Sequence, residues 1–199
     1  MMRLDPRPPT MSDVLVPGSS LVRDLGLVIA FSLINAAAAQ VSIPLPFTPV
    51  PITGQTFTVL LTGALLGSRL GGLSLLLYLA EGAAGLPVFA LGRSGLVTLL
   101  GPTAGYLFAF PAAAFAVGWL AERGWDRHVL TTALAMLAGN VIIYAGGVPW
   151  LARFVGGLSE AVTLGMVPFL IGDAVKIVLA AMLLPTGWQV VNRVRQGSG

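Results

Sequence analysis

The chain predicts an all-α integral membrane protein of six transmembrane helices, with both termini cytoplasmic. Three observations carry this reading. Only 10% of the 199 residues are charged and 56% are hydrophobic, with a mean hydropathy of +0.88, against roughly 25% charged in an ordinary soluble domain. Uncharged runs such as Leu25 to Ser68 and Ser94 to Ala121 are long enough to cross a bilayer, where a helical span needs about 20 apolar residues. The basic residues, finally, gather in alternate connections. One domain over 25–190 is expected, between a polar tail at 1–24 and a short tail at 191–199. The N-terminal stretch lacks the short apolar core and cleavage site of a removed signal peptide.

Proline and charge divide the runs. Pro44, Pro46, Pro49 and Pro51 interrupt the first one, because proline lacks an amide proton and disfavours helix at the preceding residue. Spans are therefore expected at about 25–42 and 53–68. A third follows Arg69 to about Ala80, and the Gly- and Pro-containing stretch after Glu81 is expected to fold back into the protein. Gly101-Pro102 marks a re-entrant turn before a span at about 102–121. His128 opens a fifth that ends near Gly146-Gly147-Val148-Pro149, and a sixth covers roughly 166–190. Gly63, Gly67, Gly71 and Gly72 read as helix-packing positions.

Orientation follows from arginine in short loops. With the N-terminus inside, inner segments hold Arg3, Arg7, Arg23, Arg69, Arg123, Arg127, Arg193 and Arg195, and outer loops only Arg93 and Arg153. Trp119, Trp125 and Trp188 then fall near the inner boundary and Trp150 near the outer one, as in an aromatic belt. The scattered arginines form no basic cluster, which excludes nucleic acid as a partner. No cysteine is present, which removes disulfides and thiolate metal sites.

The polar residues of the apolar segments converge on one end. Gln55 opens span two, and Thr103 and Tyr106 open span four. Asn140 and Tyr144, four apart, share a face in the outer half of span five. Asp173 and Lys176, the chain's only lysine, lie three apart in the outer half of span six, and Arg93 precedes span four. An ion pair in hydrocarbon costs several kcal/mol unless paired or facing a polar cavity, so it marks a site. The inner halves hold little beyond Ser32, Asn35 and Ser74. The expectation is a pocket open outward and closed below, walled by Phe47, Phe57, Phe89, Trp150, Phe154 and Phe169.

The run Gly54-Gln55-Thr56-Phe57-Thr58-Val59-Leu60-Leu61, followed by Gly63-Ala64-Leu65-Leu66-Gly67 and Tyr78-Leu79, resembles the BioY family of biotin-specific substrate-capture (S) components of energy-coupling factor (ECF) transporters. Gly85-Leu86-Pro87-Val88-Phe89, Gly101-Pro102-Thr103-Ala104-Gly105-Tyr106, Gly139-Asn140 with Tyr144, and Pro168-Phe169-Leu170 leading to Gly172-Asp173 and Lys176 share it. The resemblance implies capture of biotin at the extracellular side of a bacterial or archaeal cytoplasmic membrane. It also implies partners: a transmembrane coupling subunit and two cytoplasmic ATPases. No Walker A pattern occurs in this chain, and no cofactor is expected.

On this reading Asp173 accepts the ureido N–H groups of biotin, and Lys176 balances its charge and donates to the ureido oxygen or to the carboxylate. Arg93 is the alternative carboxylate partner, while Gln55, Asn140, Tyr106 and Tyr144 complete the hydrogen bonding, with Thr103 and Phe89 in the wall. S components commonly dock their coupling subunit through Ala-x-x-x-Ala on the first helix. The nearest patterns here are Ser32-x-x-x-Ala36 and Asn35-x-x-x-Ala39. An S component for another vitamin keeps the same architecture. An embedded hydrolase is disfavoured, because the single histidine, His128, lies away from the polar cluster and no His-Glu-x-x-His occurs.

Overall fold

The long apolar runs form helices, and a computed structural model describes residues 8–18 and 20–197. Its helices are α1 (Met11–Leu15), α2 (Leu21–Gln40), α3 (Gln55–Ala83), α4 (Gly95–Leu100), α5 (Ala104–Ala121), α6 (Val129–Val155), α7 (Leu158–Gly165) and α8 (Leu170–Gly197). Between α2 and α3 the proline-rich stretch forms a short antiparallel hairpin, β1 (Ser42–Ile43) with β2 (Ile52–Thr53), pairing Ser42 with Thr53. Arg3, Arg7, Ser198 and Gly199 lie outside the described residues.

Five stretches are long and apolar enough to cross a membrane, and a sixth crossing arises inside α3. Gly67 there takes φ 83° and ψ −179°, a conformation only glycine adopts freely. The chain reverses at this point. Gln55 Nε2 donates to Tyr78 Oη at 2.7 Å, whereas 23 residues of straight helix would separate them by about 35 Å. The two arms touch so closely that a Cβ on Gly71 would lie 2.9 Å from Gly63 Cα. This is the boundary expected between spans two and three.

Span five runs past its expected end, with Pro149 inside α6. The helix continues because neighbouring packing holds it: a Cβ on Gly105 would meet Trp150 Cβ at 2.3 Å, and Trp150 Nε1 donates to Gly101 O at 2.9 Å. Gly156, at φ 97°, ends it.

The inner end is tied by polar contacts. The Gly67 bend is held by Glu122, whose Oε1 accepts from Ser68 N at 2.8 Å and Ser68 Oγ at 2.9 Å. Within the stretch expected as an N-terminal tail, Thr10, Met11 and Ser12 are buried, and Arg23 donates to Ser12 O and Val16 O. Trp188, expected in the aromatic belt, is instead only 5% exposed and donates to Asp126. Arg127 lies over its ring at 4.5 Å. The indole turns inward because a buried carboxylate offers it an acceptor.

Asp126 carries a pH prediction. Burial raises its carboxyl above the ordinary value, partly offset by the Trp188 bond and the nearby Arg127. A raised acid favours the folded protein while protonated, so this contribution is lost as pH rises from the unfolded value near 4 through the folded one. The loss is at most about 1.4 kcal/mol per pH unit in that window. Asp126→Asn is expected to flatten the decline of the thermal midpoint above pH 4. A variant with the wild-type pH profile would exclude Asp126 as its source.

Candidate functional site

At the outer end, β2 and the start of α3, residues of the 89–98 segment, the first half of α5, the middle of α6 and the start of α8 line one cavity. Its empty volume is about 740 Å³ including the open mouth. Apolar wall comes from Val50, Phe89, Leu107, Phe110, Ile143 and Phe169, and polar groups from Thr53, Gln55, Thr56, Arg93, Thr98, Thr103, Tyr106, Tyr144, Asp173 and Lys176.

The charged pair sits on the first turns of α8. Asp173 is 5% exposed and Lys176 Nζ lies 3.4 Å from its Oδ1. Thr56 stands between them: its Oγ1 accepts from Lys176 Nζ at 2.7 Å and donates to Asp173 Oδ1 at 3.3 Å. Lys176 also donates to Thr53 O at 3.0 Å, and the Tyr144 hydroxyl donates to Asp173 Oδ2. The pair is thereby compensated as charges in a low-dielectric wall must be, with lone pairs of the carboxylate left over.

The other polar side chains are aimed by close packing. A Cβ on Gly147 would lie 2.1 Å from the Tyr106 ring and one on Gly165 2.3 Å from its hydroxyl. Those glycines let Tyr106 donate to Gly165 O at 2.8 Å and meet Tyr144 edge to face at 6.5 Å. Gln55, 3% exposed, donates its side-chain N–H to the Tyr78 hydroxyl, which donates to Val88 O at 3.1 Å. Among the described residues, the side-chain oxygen of Gln55 accepts no hydrogen bond. Phe89, 1% exposed, stands edge to face on Tyr78 at 5.5 Å. Arg93 is exposed at the mouth, and its guanidinium has no ion-pair partner among the described residues.

Of the expected ligand contacts, Asp173, Lys176, Tyr144, Gln55, Arg93, Tyr106, Thr103 and Phe89 line this cavity; Asn140 does not. One turn deeper than Tyr144, it faces a crevice with Thr56, Phe57, Leu60 and Lys176, its Oδ1 unpartnered. Spacing of four fixes a common face but also sets a depth about 6 Å lower. Of the expected aromatic walls only Phe89 and Phe169 line the cavity; Phe47 and Phe154 are 57% and 49% exposed, Phe57 faces the crevice, and Trp150 packs on Phe108. Thr53 and Thr56 were not singled out in sequence, although Thr56 lies inside the Gln-Thr-Phe-Thr run.

The four residues expected to dock a partner are turned the other way. Ser32, Asn35, Ala36 and Ala39 are all buried. Ser32 Oγ lies 3.0 Å from Glu81 Oε1, and Asn35 Oδ1 accepts from Thr58 Oγ1 at 2.8 Å. Polar side chains of a membrane helix bond to neighbouring helices, and here the neighbour is α3 of the same chain. The outward face of α2 is apolar, with Leu25, Ile29, Leu33 and Ile34 exposed.

Comparison with known proteins agrees with this architecture. The chain is 42% identical over 161 residues to the probable biotin transporter BioY of Pyrococcus horikoshii, covering 81% of this chain and 93% of that one. It is likewise 42% identical over 154 residues to the biotin transporter BioY of Thermotoga maritima, covering 77% and 88%. The crystal structure of the S-component for biotin from an ECF-type ABC transporter superposes with a TM-score of 0.72 at 25% identity, over 90% of this chain and 95% of that one. The sequence pattern of the BioY family matches residues 9–193, and the chain belongs to that family.

Proposed function

We propose that this protein captures biotin from the outer side of the cytoplasmic membrane and mediates its uptake as the S component of an ECF transporter. The observation that carries the reading is the layout of the cavity. The Asp173, Lys176, Thr56 and Tyr144 network, a set of apolar side chains, and the exposed Arg93, which has no ion-pair partner among the described residues, line the same cavity. Biotin has matching groups: a ureido group with two N–H donors and one acceptor, an apolar ring and tail, and a terminal carboxylate. The BioY relatives and the biotin S-component of known structure support the same ligand.

In this reading Asp173 accepts a ureido N–H, a charge-assisted bond about twice as strong as a neutral one. Lys176 holds that carboxylate in place and donates to the ureido oxygen, and Arg93 pairs with the carboxylate. Energy comes from partners, a coupling subunit and two ATPases, since the chain has no Walker A sequence. The outward apolar face of α2 at Leu25, Ile29 and Leu33 is the surface offered to the coupling subunit.

Asp173→Asn is expected to weaken biotin binding by about 1.5–3 kcal/mol, the range for hydrogen bonds to charged groups. Calorimetry on the purified protein measures it, and unchanged affinity would remove Asp173 from the site. Mass spectrometry of the ligand that co-purifies tests the substrate itself; a tightly held vitamin other than biotin would overturn the assignment.

A further inference from the structure

Arg93 reaches the mouth of the cavity on a turn with a left-handed leucine. Its residues Leu91 and Gly92 are left-handed, at φ 62° and φ 68°, and for leucine that conformation costs on the order of 1 kcal/mol or more. Within the turn, Phe89 N donates to Arg93 O at 3.0 Å and Arg93 N to Ala90 O at 3.4 Å. Among the described residues, the one hydrogen bond from residues 90–93 to another element runs from Gly92 N to Gln40 Oε1, at 3.2 Å. The same side chain holds the approach to the turn. Gln40 Nε2 lies 3.3 Å from Phe89 O and 3.5 Å from both Val88 O and Pro87 O, besides 3.2 Å from Ala36 O on its own helix.

We infer that Gln40 is a positioning residue for ligand recognition: it fixes the 87–93 segment to the end of α2 and so sets where the Arg93 guanidinium stands. Gln40 does not line the cavity, so its effect must pass through the segment. The Tyr78 bond to Val88 O anchors the inner side of that segment, and Gln40 anchors the outer side, next to Arg93. The inference rests on Arg93 as the partner of the biotin carboxylate.

The test is calorimetry of the full chain in detergent with biotin and with biotin amide, on wild type, Q40A, R93A and the double variant. R93A is expected to lose the preference for biotin over the amide. Q40A is expected to bind biotin about 3- to 10-fold more weakly, the effect of about one lost hydrogen bond, and the amide within about twofold of wild type. In the R93A background Q40A is expected to add nothing, since residues acting as a unit are not additive. Equal weakening of both ligands by Q40A, or a full further loss on top of R93A, would overturn the positioning role while leaving Arg93 in place. R93A with its preference intact would overturn the carboxylate reading instead, and the role of Gln40 with it.

Discussion

Lys176→Met is expected to destabilise the protein by about 3 kcal/mol and to abolish tight biotin binding. The lysine is the only cation within 4 Å of Asp173 among the described residues, and breaking a buried pair by removing one partner costs about 3–5 kcal/mol. The lower end applies because the lysine side chain is 21% exposed while that of Asp173 is 7%. Thr56 and Tyr144 still donate to the carboxylate, but neither supplies charge. The double variant Asp173→Asn, Lys176→Met removes both charges and is expected to recover most of the stability and none of the affinity. Thermal midpoints in one detergent, read beside calorimetry, separate the two effects. A single Lys176→Met protein as stable as the double variant would mean the pair contributes nothing to the fold.

Gly63→Ala is expected to cost a similar amount, about 3 kcal/mol, at the upper end for overpacking. Its added Cβ would lie 2.2 Å from the carbonyl oxygen of Ala114. A backbone carbonyl of α5 cannot step aside as a side chain can, so α5 and the first arm of α3 must separate. Gly72→Ala is the matched control. There the nearest atoms, Phe115 Cβ and Pro111 O, are 3.7 Å away, an ordinary contact, and the change is expected to stay within about 0.5 kcal/mol or stabilise slightly through helix propensity. If both variants melt alike, the close approach at Gly63 does not constrain the bundle.

Much of the fold was legible because the membrane leaves few choices. Apolar length, proline and arginine placement lead to six crossings, and even the reversal inside α3 was marked by Arg69 just after Gly67. Asp173 and Lys176 stood out because charge is rare in hydrocarbon. What stayed hidden was direction. The four-residue step from Asn140 to Tyr144 gave a face and concealed a difference of depth. The small residues of α2 marked a packing face without saying whose helix fills it; the partner is α3, through Ser32 to Glu81 and Asn35 to Thr58. Thr56 and Gln40 look like ordinary helix-end residues in sequence. Their roles come from partners more than 45 residues away, Asp173 and the 87–92 segment.

The charges around the cavity also bear on how a vitamin anion fares in an electric field. An anion entering an inside-negative cell on its own works against about 2.3 kcal/mol for each 100 mV. Asp173, Lys176 and Arg93 bring formal charges of −1, +1 and +1 to the cavity, and an anionic ligand brings −1. With the ligand bound, the formal charges of the cavity sum to zero, so the site and its ligand together carry no net charge for the membrane potential to act on.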